Sequence, residues 1–265
     1  MAEPRVEVSN DITTNMAGFA SYLSYQQFAE SVRTRWRYVS DPKQSTFLEA
    51  LLATSVARQE VITCSSKLWR AQLGHAWYPA DDSSEEEQPA PLGVERMKPL
   101  RDRAREGRAN PKGIPYLYLA THRETAMAEV RPWIGSHVSV AQLVLKRDIR
   151  VVNCVTDDCR IMVYSREPEP EERKRAVWRD IDRAFSQPVT SGDDTADYAP
   201  TQIIAEFLRA NGLDGVGYGS SLGAGHNVVL FDMEAAAVVN CELLEIRGLK
   251  FDSSSAANPY SVPPE

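Results

Sequence analysis

Arg70, Arg108 and Lys112 stand in settings suited to holding a phosphate, and Glu129 stands in a setting suited to acting on what is held. Arg70 lies in Leu68-Trp-Arg-Ala-Gln, an apolar, strand-like run. An arginine there serves as a surface group or half of an ion pair, or as a planar, permanently charged fork for a diphosphate or carboxylate. Arg108 and Lys112 share the turn Gly107-Arg-Ala-Asn-Pro-Lys-Gly. Such a turn is a plain connection or, with two cations on a loop rich in exposed N–H groups, an anion cradle. Glu129 sits in Ala126-Met-Ala-Glu-Val-Arg, where small and apolar neighbours reduce its solvation. Tyr118, between them in sequence, reads as a core or sheet-edge aromatic. Ser220 follows Tyr218 in Gly217-Tyr-Gly-Ser-Ser, a glycine-rich turn in which serine commonly bonds local backbone. Gly-x-Ser-x-Gly does not fit around Ser220 and no base accompanies it, which argues against an acyl-transfer nucleophile. The histidines at 75, 122, 137 and 226 show no His-x-x-x-His or Glu-x-x-His spacing, so no metal site is expected.

The elements that must position these groups are legible in the hydrophobic pattern. Phe28, Val32 and Trp36 fall at helical spacing, Phe47 to Arg58 forms a second amphipathic stretch, and Asp41-Pro42 breaks them apart. Helices this short need a surface to pack on, so they are read as an extension (residues 1–62) docked on the neighbouring domain. From Leu68 the texture changes to short strands: Leu68–Leu73, Tyr116–Ala120, His137–Leu145, Ile149–Asn153, Gly215–Tyr218 and Asn227–Phe231. Thr121 and Glu124 have capping-box spacing, which starts a helix carrying Ala126 to Arg131 and ending before Pro132. Further helices are predicted over Arg173–Phe185 and Pro200–Ala210, the latter closed by Gly212. The acidic run 81–89 reads as a mobile solvated loop, and the basic run Arg101–Arg108 leads into the Pro/Gly turn. The catalytic unit is placed at residues 63–245, with a frayed tail at 246–265. Short strands with separated helices imply an α+β fold of short mixed or antiparallel sheets. No Gly-x-Gly-x-x-Gly links a strand to a helix, which argues against a dinucleotide-binding Rossmann unit.

The 265 residues are 43% hydrophobic and 25% charged, ordinary for a globular protein, and the net charge of −7 argues against a general nucleic-acid or anionic-membrane binder. No apolar run reaches a membrane span, and the first residues lack the apolar core of a secretory signal. The cysteines at 64, 154, 159 and 241 form no Cys-x-x-Cys pair and read as free thiols of a cytoplasmic protein.

Taken together, Leu68-Trp-Arg-Ala, the block from Gly107-Arg-Ala-Asn-Pro-Lys-Gly through Tyr118 to Ala126-Met-Ala-Glu-Val-Arg, and Gly217-Tyr-Gly-Ser-Ser with His226-Asn-Val-Val-Leu-Phe resemble the RES domain family over roughly residues 66 to 235. Three features depart from the family pattern: a long insertion separates Arg70 from Arg108, Ala109 replaces the usual tryptophan of Arg-Trp-Asn, and Ala71 replaces an aromatic. The resemblance implies a compact core related to ADP-ribosyltransferases and NAD⁺ as substrate rather than as bound cofactor. The bond between nicotinamide and ribose would be cleaved, with inorganic phosphate as a co-substrate or with water as the acceptor. It implies Glu129, Arg70 and Ser220 as catalytic residues, and Arg70, Arg108, Lys112, Tyr118, Tyr218 and Asn227 around the dinucleotide. It further implies a toxin whose partner is a protein antitoxin with a DNA-binding module, and it leaves homo-oligomerisation open. An ADP-ribosyltransferase acting on a protein and a non-catalytic binding module on the same scaffold are the alternatives.

Overall fold

Asp41 and Pro42 do more than break the chain. Asp41 Oδ1 accepts a hydrogen bond from Gln44 N at 2.8 Å and Pro42 takes the first helical position, so together they start α2 (Pro42–Ser55). A computed structural model describes residues 18–39, 41–79, 86–101, 103–156, 164–187, 195–250 and 253. Before α2 comes α1 (Ser24–Thr34), which buries Tyr25, Phe28, Ala29 and Val32. Trp36 does not extend that face as expected: the N–H groups of Arg35 and Trp36 both fold onto the Ser31 carbonyl, the helix closes, and Trp36 stands 54% exposed. The later helices are α3 (Arg123–Glu129), α4 (Pro170–Ser186) and α5 (Ala199–Ala210).

Ten strands are described: β1 (Gln59–Ile62), β2 (Lys67–Leu73), β3 (Ala76–Pro79), β4 (Glu87–Ala90), β5 (Leu117–Ala120), β6 (His137–Leu145), β7 (Ile149–Asn153), β8 (Gly215–Gly219), β9 (His226–Leu230) and β10 (Ala236–Glu245). Eight form one mixed sheet in the order β1-β7-β8-β9-β5-β2-β6-β10, and only β7 and β8 run parallel. The fold is α+β, as the sequence implied. The remaining pair, β3 and β4, makes a separate hairpin with Trp77 opposite Pro89. This corrects the reading of 81–89 as a loop: Glu87 to Pro89 lie in β4, where they pair with β3. Residues 81–85 lie outside the described residues, as do Cys159 and nearly all of the tail beyond 250.

The capping box is also replaced. His122, not Thr121, precedes α3, and Thr121 Oγ1 instead accepts from His226 N at 3.0 Å, so its hydroxyl joins the loop to β9. Glu129 is the last residue of α3; Arg131 adopts a positive φ of 46° and turns the chain away before Pro132.

One hydrophobic cluster unites α1, α2, α4 and α5 with Val152, Val216 and Val229 of the sheet. The N-terminal helices thus share a core with the sheet that carries the site. Fully burying an aliphatic or aromatic side chain contributes about 1.5–3 kcal/mol, and Phe28, Val32, Phe47 and Leu51 are all buried in that cluster. Their loss together is on the order of a whole domain's stability. A chain lacking residues 1–58 is therefore expected to bind an apolar dye and to show no cooperative transition by calorimetry; a transition at the full-length temperature would refute this. Among the described residues no helix is long and apolar enough to cross a membrane.

Candidate active site

The sheet is nearly split where the site lies. β2 and β5 share a single register pair, Trp69 opposite Ala120, whereas β2 pairs with β6 along its full length. Ala120 in turn faces Asn227 of β9, and Asn227 faces Tyr218 of β8. Trp69, Ala120, Asn227 and Tyr218 therefore lie abreast in one row across four strands, which gathers three distant sequence blocks at one level. A cavity of about 840 Å³ opens along this row and is lined by Arg70, Tyr118, Glu129, Tyr218 and Asn227. That volume suits a ligand of nucleotide size or larger.

Glu129 is the point of convergence. Its Oε1 accepts from Ser220 Oγ at 2.9 Å and from Asn227 Nδ2 at 2.6 Å. Both bonds fall on one oxygen, so the carboxylate is fixed in orientation while Oε2 takes neither. Ser220 is held from behind: Asp182 of α4 accepts from Gly219 N at 2.9 Å, and Ser221 Oγ donates to the Ser186 carbonyl at 3.0 Å. From the other side, Thr125 Oγ1 of α3 donates to the Ala224 carbonyl, stapling the 220–225 loop to the helix that carries Glu129. The bond from Ser220 thus follows from α3 and α4 each anchoring one end of that loop.

Arg70 occupies the seam. Its Nη1 donates to the Tyr118 carbonyl at 3.0 Å, covering an acceptor that the interrupted β2–β5 ladder leaves open. Its Nε is buried without a hydrogen-bond partner among the described residues. Burial pushes the guanidinium down to about 10 and the neighbouring Tyr118 offsets little of that shift, so the group remains a cation at neutral pH. Arg70 lines the cavity, and a buried cationic N–H without an acceptor is costly until an anion joins it.

Tyr118 and Tyr218 are held rather than free. The Tyr118 hydroxyl accepts from Ala109 N at 2.9 Å and donates to Asn110 Oδ1 at 2.7 Å, and burial raises its pKa well above the ordinary phenol range. Gly107 is required beneath it, because a Cβ there would meet the Tyr118 hydroxyl at 2.5 Å. Tyr218 stacks on Phe185 at 5.5 Å, and burial likewise suppresses its ionisation. Tyr118→Phe is expected to destabilise the fold by about 1–3 kcal/mol, because it orphans a buried acceptor and the Ala109 N–H together. Denaturant melts would check it; an unchanged midpoint would show that the loop has other supports.

A family model described as the RES domain matches residues 67–252, well over half of the chain. The chain belongs to the RES domain family. Among solved structures, a chain of the crystal structure of the M. tuberculosis MbcT–MbcA toxin–antitoxin complex is similar at 16% identity, covering 74% of this chain and 92% of that chain, with a TM-score of 0.40. No curated protein matches the chain.

Not every residue that the RES resemblance implied faces the cavity. Arg108 does not line it: Nη1 donates to the Ala184 carbonyl at 3.2 Å and the guanidinium lies 5.0 Å from the centre of the Tyr198 ring. The turn points this side chain towards α4 and α5, because Ala109 beside it is fully buried and fixes the local orientation. Lys112 is exposed and also lies off the cavity wall. Ser220 reaches the cavity only through Glu129. Conversely, sequence reading missed Gln202. Its Nε2 donates to the carbonyls of Gly107 at 2.9 Å and Asn110 at 3.1 Å, clamping the turn from α5. Nothing local marks Gln202, since it appears as one polar residue in a helix. Arg96, Lys98, Arg103 and Arg105 also line the cavity and were unassigned, although the basic run 101–108 was a visible signal for the last two.

Proposed function

We propose that this RES protein cleaves the bond between nicotinamide and ribose in NAD⁺ and acts as the toxin of a toxin–antitoxin pair. The observation that carries the chemistry is the carboxylate of Glu129, held by Ser220 and Asn227 on one oxygen, in the same cavity as the buried cation Arg70. The toxin assignment and its antitoxin partner rest on family membership.

The reaction asks little of a general acid. As the C1′–N bond breaks, its electron pair leaves with nicotinamide, which departs neutral. Positive charge develops on the ribose as an oxocarbenium-like centre. Glu129 lowers the energy of that charge, and Oε2, free of the Ser220 and Asn227 bonds, accepts hydrogen bonds from the ribose hydroxyls. Because both donors are already in place, no reorganisation of the carboxylate is needed during the step. Arg70 supplies Nε to a diphosphate oxygen and keeps the cation remote from the departing nitrogen. An oxygen nucleophile, phosphate or water, then forms the new bond to C1′, and water gives up its proton to solvent.

Incubation of the purified protein with NAD⁺, with and without inorganic phosphate, tests the reading by chromatography and phosphorus NMR. Release that requires phosphate and yields a phosphorylated ADP-ribose identifies a phosphorylase; release without that requirement identifies a glycohydrolase. Label from NAD⁺ appearing on a protein band assigns a transferase instead. No nicotinamide from the wild type at high protein concentration sinks the cleavage reading.

A further inference from the structure

The cavity wall opposite in sequence to the catalytic blocks has a repeated construction. Met97 is fully buried and is flanked by Arg96 and Lys98, and Ala104 is buried and flanked by Arg103 and Arg105. All four flanking cations line the cavity that holds Glu129. Two apolar anchors therefore pin the segment down while the residues on either side present charge to the same space. Met97 packs with Leu68, Leu117 and Leu143 beneath the sheet, so the first anchor is part of the core and not a surface accident. The second is closed by Gly113 N, which donates to the Ala104 carbonyl at 3.0 Å.

Two of the four charges, Arg96 and Arg105, are not used up internally. Lys98 pairs with Glu234 at 3.1 Å, outside the lining. Arg96 and Arg105 make no ion pair among the described residues. The lining holds two acids, Glu106 and Glu129; Glu106 accepts from Gln202 Nε2 at 3.1 Å and Glu129 serves the ribose end. Arg70, Arg96 and Arg105 are thus three lining cations held in no ion pair among the described residues, and the last two stand apart from the contact assigned to Arg70. Like charges held together around a cavity repel unless an anion joins them, and a cavity focuses their field on that anion. The net charge of the chain is −7, so this concentration of cations is local.

We propose that the Arg96–Arg105 wall is a subsite for a phosphate monoester or free phosphate dianion, separate from the diphosphate contact at Arg70. This deepens the NAD⁺-cleaving reading and rests on it for the choice of ligand. Two sources carry that chemistry: the 2′-phosphate of NADP⁺ as substrate, and inorganic phosphate as the acceptor. Arg96 and Arg105 are exposed, so the variant Arg96→Ala/Arg105→Ala keeps its fold.

Calorimetry with adenosine 2′-monophosphate, adenosine and inorganic phosphate, on wild type and variant, reads the subsite without catalysis. A loss of tenfold or more in affinity for a phosphate-bearing probe, with adenosine unaffected, is expected. Equal affinity in both proteins, or no binding to the wild type, overturns the proposal. Phosphate-dependent binding to a wild type that releases no nicotinamide leaves the subsite standing and removes the cleavage reading instead. Kinetics then separate the sources. A tenfold fall in the kcat/KM ratio of NADP⁺ over NAD⁺ assigns the wall to the substrate. A tenfold rise in KM for inorganic phosphate at a constant ratio assigns it to the acceptor, and a change in neither overturns the subsite.

Discussion

Glu129→Gln is expected to lower kcat for nicotinamide release by roughly 10³-fold, at the upper end of what one removed electrostatic stabiliser costs in an enzyme site. The substitution isolates charge from shape. A glutamine oxygen still accepts from Ser220 Oγ and Asn227 Nδ2, so the two bonds that orient the side chain survive. What disappears is the negative charge facing the developing ribosyl cation, together with the second acceptor oxygen. Glu129 is exposed at the end of α3, so the melting midpoint should move by no more than about 0.5 kcal/mol in equivalent stability. KM should stay within a few-fold, because the ground-state charge is spread over the nicotinamide ring and moves onto the ribose facing the carboxylate only in the transition state. Ser220→Ala and Asn227→Ala should each cost less, about tenfold, since either donor alone still restrains Oε1. Their double variant should fall short of the product of the two, as expected for groups acting through one atom. A Glu129→Gln protein with wild-type kcat would remove the carboxylate from the chemistry.

The parts legible in the sequence were those governed by short-range pattern. β6 announced itself by a long alternating run, α5 by its periodicity and Gly212, and α2 by Asp41-Pro42. The Glu129, Ser220 and Asn227 group was reached through the resemblance of three separated blocks, and their convergence depends on the sheet order, which no local pattern encodes. β10 is not legible in the sequence because its Ala-rich start and the bulge between Val238 and Asn240 interrupt alternation, although it is the longest of the described strands. β1 is hidden within the helical extension because it follows α2 after one short turn. Arg108 shows the limit most clearly. Its loop is where a phosphate cradle belongs, yet the side-chain direction is decided by the packing of Ala109 and by an acceptor on α4, 76 positions away in the chain. The cations of Arg96 to Arg105 were hidden for the opposite reason: their segment is the insertion that departs from the family pattern, so the resemblance says nothing about it.

Arg70→Ala is expected to raise KM for NAD⁺ by about 10²-fold or more, the scale set by removing one partner of a buried charge contact, about 2–5 kcal/mol. The effect should fall mainly on KM, since Arg70 meets the diphosphate in both ground state and transition state. Stability should change far less. Deleting the side chain loses the bond from Nη1 to the Tyr118 carbonyl at 3.0 Å, and it also relieves a buried Nε that has no partner in the unliganded protein. These contributions oppose each other, so the melting curve and KM report on different roles of the same residue. Arg70→Lys discriminates further. A lysine keeps the charge but not the fork, so it can serve the Tyr118 carbonyl or the ligand and not both in the arginine's geometry. Little rescue of KM by lysine therefore assigns the site to a planar, two-sided contact, whereas full rescue would reduce Arg70 to a point charge. Wild-type KM in Arg70→Ala would place the diphosphate elsewhere on the wall, with the cations of the insertion as the remaining holders. The two halves of the sheet meet at a single register pair beside this residue. A ligand that supplies the missing acceptor to Nε therefore also ties β2 to β5, and saturating NAD⁺ should raise the melting temperature of the wild type more than that of Arg70→Ala.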